Sequence, residues 1–190
     1  CAVGDKIRKS ITLSDSVDII DYLDSSNNEF NVDIYDKKTP VHYGAVHIGT
    51  GKTSSNMITI DSLSLNNVSA MKVDVEGAEP LVFYGAKNTI KKYKPVIVFE
   101  YNESKLSKDI IKTMNLDNDI STFNIVEYCK SLGYKDMYEL YIDDYMLVPP
   151  GRNQVIKNTI AKFKPTNKFK RFNKNQLNGY NLYKFIKPRW

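Results

Sequence analysis

Two short apolar runs joined by a segment with helical character constrain the fold of this chain more than any other feature. Residues 70–73 are followed by Asp74, and the fully apolar residues 96–99 are followed by Glu100. Pro80 falls where the first turn of the intervening helix would lie, a position that tolerates proline because its N–H would have no helical partner. This strand–helix–strand order favours an α/β fold with a parallel sheet.

The acidic residues that follow these two runs are candidate site residues because of their position. In open parallel α/β sheets, ligands bind outside the carboxyl ends of the strands. Asp74 and Glu100 would both lie at that edge, although Glu100 could equally be a structural acid at a strand end. Lys72 alternates with the apolar residues of its strand, and we expect it to pair with one of the acids.

The rest of the chain shows weaker patterns. Asp61 is expected to cap a short helical turn that carries Leu63 and Leu65. Residues 102–120 are polar, and no element is predicted there. The other predicted elements are a strand–turn–strand unit over residues 1–14, a short helix over 17–23, a long loop over 24–56, a strand over 57–60, helical pieces from 78 and over 86–93 separated by Gly85, a helix over 123–132 ended by Gly133, and a closing antiparallel pair over 138–142 and 145–148.

Residues 57–100 carry an ordered series of motifs, MITIDSLSLNNVSAMKVDVEGAEPLVFYGAKNTIKKYKPVIVFE. In order, these are a Thr-x-Asp turn at 59–61, Lys-Val-Asp-Val-Glu-Gly-Ala-Glu at 72–79, Gly-Ala at 85–86, and a proline before an apolar strand that ends in glutamate at 95–100. The series resembles the signature of the FkbM family, whose members use S-adenosylmethionine to methylate hydroxyl groups. Because the motif is long and ordered, it is more specific than a single Gly-rich match.

This resemblance implies a fold, a reaction and a methyl donor. The fold would be the C-terminal half of a Rossmann-like class I methyltransferase, with a mostly parallel sheet and closing antiparallel strands over residues 1–150. The reaction would be methyl transfer from S-adenosylmethionine to a hydroxyl of a sugar, a glycan or another small molecule. The family's Gly-rich donor loop is absent from the chain, so we expect the N-terminal half of the fold to lie upstream of Cys1.

The resemblance also implies roles for individual residues. Asp74 would lie next to the methyl donor, where it would orient the acceptor, act as a base or bind a divalent metal ion. Glu76 is the second candidate catalytic residue. Ala2 and Val3 resemble the family's segment after its third strand and would contact the donor. Glu79 is expected only to cap its helix.

The two histidines and one Gly-rich string in the long loop invite further interpretations. His42 and His47 could act as a base, but a solvent-exposed loop histidine is more common, and their spacing is too weak for a metal site. Residues 49–53 read Gly-Thr-Gly-Lys-Thr, but a phosphate-binding loop needs glycine where Val46 stands. We therefore interpret this string as a flexible turn.

The charge of the chain divides near residue 150. The whole chain carries +5, whereas residues 151–190 contain 11 Lys and Arg and no Asp or Glu, which leaves −6 for the rest. Aromatic residues stand among these cations, so we expect a basic, aromatic-rich tail that docks on the domain or contacts a polyanion. The alternative function is therefore a non-catalytic methyltransferase-like module that binds RNA or an anionic glycan through this tail.

Composition and cysteine spacing bear on the compartment. The sequence has no run of about 18 apolar residues, so no transmembrane segment is predicted. Cys1 and Cys129 lie far apart and suggest neither a zinc site nor a disulfide framework. A reducing, cytoplasmic location is the expectation.

Overall fold

In the part of the chain that the structure describes, five strands come first, and helices and further strands follow. In the computed structural model, the structure describes residues 2–13, 17–18, 41–42, 48–49, 53–101, 106, 108–141, 144–163, 168–171 and 181–186. The strands are β1 (Ala2–Val3), β2 (Arg8–Leu13), β3 (Val17–Asp18), β4 (Val41–His42), β5 (Thr53–Ile58), β6 (Ala70–Val73), β7 (Val96–Glu100), β8 (Asp136–Tyr141), β9 (Asp144–Val148), β10 (Lys168–Arg171) and β11 (Asn181–Ile186). The helices are α1 (Glu79–Tyr84), α2 (Lys87–Tyr93), α3 (Lys108–Met114), α4 (Asn118–Ser121), α5 (Ile125–Ser131) and α6 (Asn153–Phe163), with a 3-10 helix over Asp61–Leu63.

The largest sheet has the strand order β10-β11-β8-β9-β7-β6. Strands β6 and β7 are parallel, as predicted, and so are β8 and β11, whereas the other three neighbouring pairs are antiparallel. The expectation of a mostly parallel sheet is therefore wrong for the residues that the structure describes, where the sheet is mixed. Only two residues separate β8 from β9, and a parallel connection needs a dozen or more, so this closing pair has to be antiparallel.

A second sheet has the order β1-β5-β2, with β1 parallel and β2 antiparallel to β5, and β3 pairs with β4. The helix predicted over residues 17–23 is wrong at 17–18, which form a strand, and its remainder lies outside the described residues. The long loop predicted over 24–56 is wrong at 41–42 and 53–56, which belong to β4 and β5. Pairing with a distant strand overrode the local pattern in both places.

Apolar side chains pack on both faces of the large sheet. On strand β7, Ile97 and Phe99 are buried in the main cluster, together with Phe83 from α1 and Val126 from α5. The alternate residues of β7 face a second cluster around Tyr138, which also includes Ile156 from α6. This pattern is typical of a central strand covered by helices on both sides.

The segment after residue 150 takes part in this architecture. Helix α6 contributes to the second cluster, and β11 pairs in parallel with β8, so the sheet extends to residue 186. The division of the chain at residue 150 into a domain and a tail stays a prediction.

Helices also occur where the sequence pattern gave no signal. Within the polar stretch 102–120, helix α3 buries Ile110 and Met114, and helix α4 buries Ile120. Each helix is short and carries few apolar residues, which is why periodicity did not reveal it. By contrast, Gly133 follows α5 with a φ of +88°, as predicted for the residue that ends a helix.

Two contacts join the segments that follow β1 and β5 to helices α1 and α2. Gly85 approaches the backbone of Gly4 so closely that a β-carbon there would lie 1.9 Å from the Gly4 carbonyl oxygen. The carboxylate of Asp61 accepts hydrogen bonds from the backbone N–H groups of Asn88 and Thr89, at 3.0 and 2.8 Å. Asp61 thus caps α2 across the fold, not its own helical turn as the sequence suggested, because residue 61 packs beside the start of α2.

Replacing Asp61 with alanine should lower the free energy of unfolding by about 1–2 kcal/mol, because the start of α2 would lose its cap. A matched control is Asp117→Ala, since Asp117 precedes α4 but makes no side-chain capping hydrogen bond. The control should change stability by less than about 0.5 kcal/mol. Urea unfolding of both variants measures the difference, and equal losses would contradict the capping role.

Candidate functional site

The candidate site lies at the carboxyl ends of the parallel strands β6 and β7. Val73 is paired in register with Phe99, so Asp74 and Glu100 each follow at the same end of the two strands. The position predicted for these two acids is therefore confirmed. Strand β9 runs antiparallel to β7 and begins with Asp144, which is paired in register with Glu100. Asp144 was missed in the sequence, because only the strand pairing places it at this edge.

The loop that follows β6 has an unusual backbone. Glu76 has a φ of +52° and Gly77 a φ of +86°, so two successive residues lie in the left-handed region. For a residue other than glycine, this conformation costs about 1–2 kcal/mol. Such strained residues concentrate at functional sites, where the surrounding structure holds them. Both Asp74 and Glu76 have exposed side chains.

The side chain of Glu79 is hydrogen-bonded to the backbone of this loop. The residue is 6% exposed, and its Oε1 atom accepts hydrogen bonds from the backbone N–H of Val75 at 3.0 Å and of Gly77 at 3.4 Å. Its carboxylate therefore serves the loop before α1, which goes beyond the helix-capping role expected from the sequence.

Lys72 and Asp74 form an ion pair. The Nζ atom of Lys72 lies 2.6 Å from Oδ2 of Asp74, which confirms that Lys72 pairs with an acid at this edge. The hydrogen bond to Asp74 and the charge of Asp74 raise the pKa of Lys72. The pair is exposed, so it orients Asp74 more than it stabilises the fold.

Glu100 lies among like charges. Partial burial raises the pKa of Glu100 above its ordinary value, and the charges of Glu79, Glu76, Asp74 and Asp144 raise it further. A carboxylate with a raised pKa is a stronger proton acceptor than an ordinary one. The edge can therefore orient a hydroxyl group and take up its proton.

Ala2 and Val3 lie in β1, next to Met57 and Ile58 of β5. Val3 packs against the main cluster and Ala2 against a cluster around Met57, and Val75 of the site loop packs against both clusters. The assignment of Ala2 and Val3 to donor binding stays a prediction, as do the catalytic roles of Asp74 and Glu76.

The remaining candidates from the sequence lie in the predicted long loop. His42 lies in β4, and His47 lies outside the described residues. Strand β5 begins at Thr53, the last residue of the Gly-rich string, where a phosphate-binding loop would need a helix. Across the described parts of the chain, no group of three or more His, Cys, Asp or Glu side chains is arranged to hold a metal ion.

The fold and the acidic edge define an α/β protein with a candidate site at the ends of parallel strands. The FkbM methyltransferase domain matches residues 11–135, most of the chain, so the chain belongs to the FkbM methyltransferase family. This match confirms the resemblance seen in residues 57–100. No curated protein and no solved structure matches the chain.

The length and apolar character of the helices show whether any of them could cross a membrane. Among the residues that the structure describes, none of the helices has both the length and the apolar character needed to cross a membrane.

Replacing Glu76 with glycine should raise the free energy of unfolding by about 0.5–1 kcal/mol, because glycine adopts a positive φ without strain. Lys94→Gly is the matched control, since Lys94 ends α2 with a φ of +45° and lies outside the acidic edge. Chemical denaturation should show a gain for both variants. A loss of stability for Glu76→Gly alone would show that the Glu76 side chain supports folding.

Proposed function

We propose that the protein is an S-adenosylmethionine-dependent O-methyltransferase that methylates a hydroxyl group of a sugar, a glycan or another small molecule. The observation that supports this most is the convergence of Asp74, Glu76 and Glu100 at the carboxyl edge of a parallel strand pair. This edge occurs in a chain that belongs to the FkbM methyltransferase family.

The acidic edge fits the chemistry of this donor. When bound, S-adenosylmethionine supplies a methyl carbon attached to a positively charged sulfonium. Five carboxylates contribute negative charge at and around Glu100 at this edge, and Lys72 pairs with one of them, Asp74. The five are those of Asp74, Glu76, Glu79, Glu100 and Asp144. An excess of negative charge favours a cationic ligand. Ala2 and Val3 are proposed to contact other parts of the donor.

Proton removal from the acceptor is the second requirement. The hydroxyl oxygen would form a bond to the methyl carbon of the donor. At the same time the carbon–sulfur bond would break, and the electron pair of that bond would pass to sulfur. In our proposal, Glu100 accepts the hydroxyl proton, and Asp74 and Glu76 hold the hydroxyl in line. Alignment can lower the barrier by about 7–11 kcal/mol. A positioned base contributes a further factor of about 10²–10⁴.

Donor binding tests the first part of this proposal. The full-length protein should bind S-adenosylmethionine in a calorimetric titration, and Asp74→Asn should weaken that affinity about tenfold by removing a negative charge near the sulfonium. The matched control Asp119→Asn changes an exposed aspartate in the first turn of α4 and should leave the affinity unchanged. Absence of binding by the well-folded full-length protein would refute the methyltransferase proposal.

The pH dependence of methyl transfer tests the base. Glu100 accepts a proton only as the carboxylate, so the rate should fall as the pH drops through the pKa of Glu100, which lies above the ordinary value of 4.5. Glu100→Gln should lower kcat by about 10²–10⁴-fold and abolish this acid limb. Transfer of labelled methyl groups to free hexoses and deoxyhexoses, measured from pH 4 to pH 9, provides the profile.

The control for this profile is Glu127→Gln, an equivalent change at an exposed residue of α5. It should leave both kcat and the acid limb unchanged. An acid limb that persists in Glu100→Gln would assign the base to another group.

Two further expectations accompany the proposal. Residues 151–190 are proposed to contact a polyanion or an acidic partner through their cations, and the cytoplasm is the proposed location. Salt-dependent binding of RNA to the wild-type chain would support the contact with a polyanion, and such binding without any affinity for S-adenosylmethionine would favour the non-catalytic module.

A further inference from the structure

Glu79 is a buried acidic residue, with only 6% of its surface exposed. A buried carboxylate is unfavourable unless hydrogen bonds compensate it. Here a single oxygen, Oε1, accepts from the backbone N–H groups of Val75 and Gly77, the two residues that flank Glu76. The bonds therefore span the strained part of the loop.

The loop needs such an anchor to keep its shape. Glu76 adopts a left-handed conformation that most residues avoid, and Gly77 follows in the same region. Two N–H groups that point to one acceptor define the path of the chain between them. Since Asp74 immediately precedes this span, the same bonds also fix the point at which the chain leaves β6.

We propose that Glu79 is a positioning residue, whose buried carboxylate fixes the loop over residues 74–78 so that Asp74 and Glu76 are held beside Glu100. This inference rests on the proposed methyltransferase function for its catalytic consequence, but not for the structural role of Glu79.

Glu79 has a second, electrostatic effect that can be separated from the first. Among the charged groups around Glu100, the charge of Glu79 contributes most to raising the pKa of Glu100, ahead of Glu76, Asp74 and Asp144. Glu79→Gln keeps an oxygen that can accept the two hydrogen bonds and removes the charge. Glu79→Ala removes both.

Amide hydrogen exchange, followed by NMR, tests the anchor without any need for turnover. The N–H groups of Val75 and Gly77 should exchange at least tenfold faster in Glu79→Ala than in the wild type. In Glu79→Gln their exchange rates should be nearly the same as in the wild type. Thr89→Ala is the control, because it removes a buried hydroxyl that bonds to Asp61 and not to this loop. Unchanged exchange in Glu79→Ala would overturn the proposal.

Kinetics on the full-length protein, with S-adenosylmethionine and the sugar acceptors named above, test the catalytic consequence. Glu79→Ala should lower kcat at least tenfold, and Glu79→Gln should restore most of it. In Glu79→Gln the acid limb should move to lower pH, because Glu100 loses its strongest neighbouring charge. Equal losses of kcat in the two variants would overturn the positioning role.

The two proposals can fail separately. If the wild type neither binds S-adenosylmethionine nor transfers methyl groups, the proposed function fails, and the exchange rates of Val75 and Gly77 still decide whether Glu79 anchors the loop. If Glu79→Ala does not fold, Glu79→Gln decides: wild-type exchange at Val75 and Gly77 supports the anchor, and tenfold faster exchange there overturns it.

Discussion

The parallel pairing of β6 with β7 is the constraint on which the rest of the structure depends. It requires the chain to cross over through α1 and α2 and to return in the same direction, so both strands end at one edge. Asp74 and Glu100 meet at that edge only for this reason. The close approach of Gly85 to Gly4 occurs at the end of α1, within this crossover, and joins it to β1.

Residues of the FkbM-like series divide into those that hold the fold and those that are exposed at the edge of the sheet. Thr59 accepts a hydrogen bond from the N–H of Ser62, Asp61 caps α2, and Gly85 permits a backbone contact. Asp74 and Glu76 are exposed and lie at the open edge of the sheet. A single ordered motif therefore combines a structural frame with a chemical surface, and Glu79 connects the two through the loop.

The acidic edge concentrates like charges in a way that stability alone would not favour. Carboxylates from the loop after β6, from helix α1 and from β9 act on Glu100, and Lys72 offsets one of them. The strained backbone at Glu76 adds to this unfavourable balance. Proteins break rules of local consistency mainly at functional sites and offset the loss elsewhere. Here the apolar packing beneath β7 provides that support.

Much of the frame around the site could be predicted from the sequence by itself. Apolar runs, Pro80, Gly85 and Gly133 defined β6, β7, the break between α1 and α2 and the end of α5, because they act within a few residues of themselves. The same local signals placed Asp74 and Glu100 at strand ends. Only the tertiary structure decided the cap from Asp61 to Thr89, the neighbour Asp144 and the joining of β11 to β8. These contacts link residues that are 28 or more positions apart in the sequence. Tertiary packing selects such pairs, and it produces no periodic pattern in the sequence from which they could be predicted.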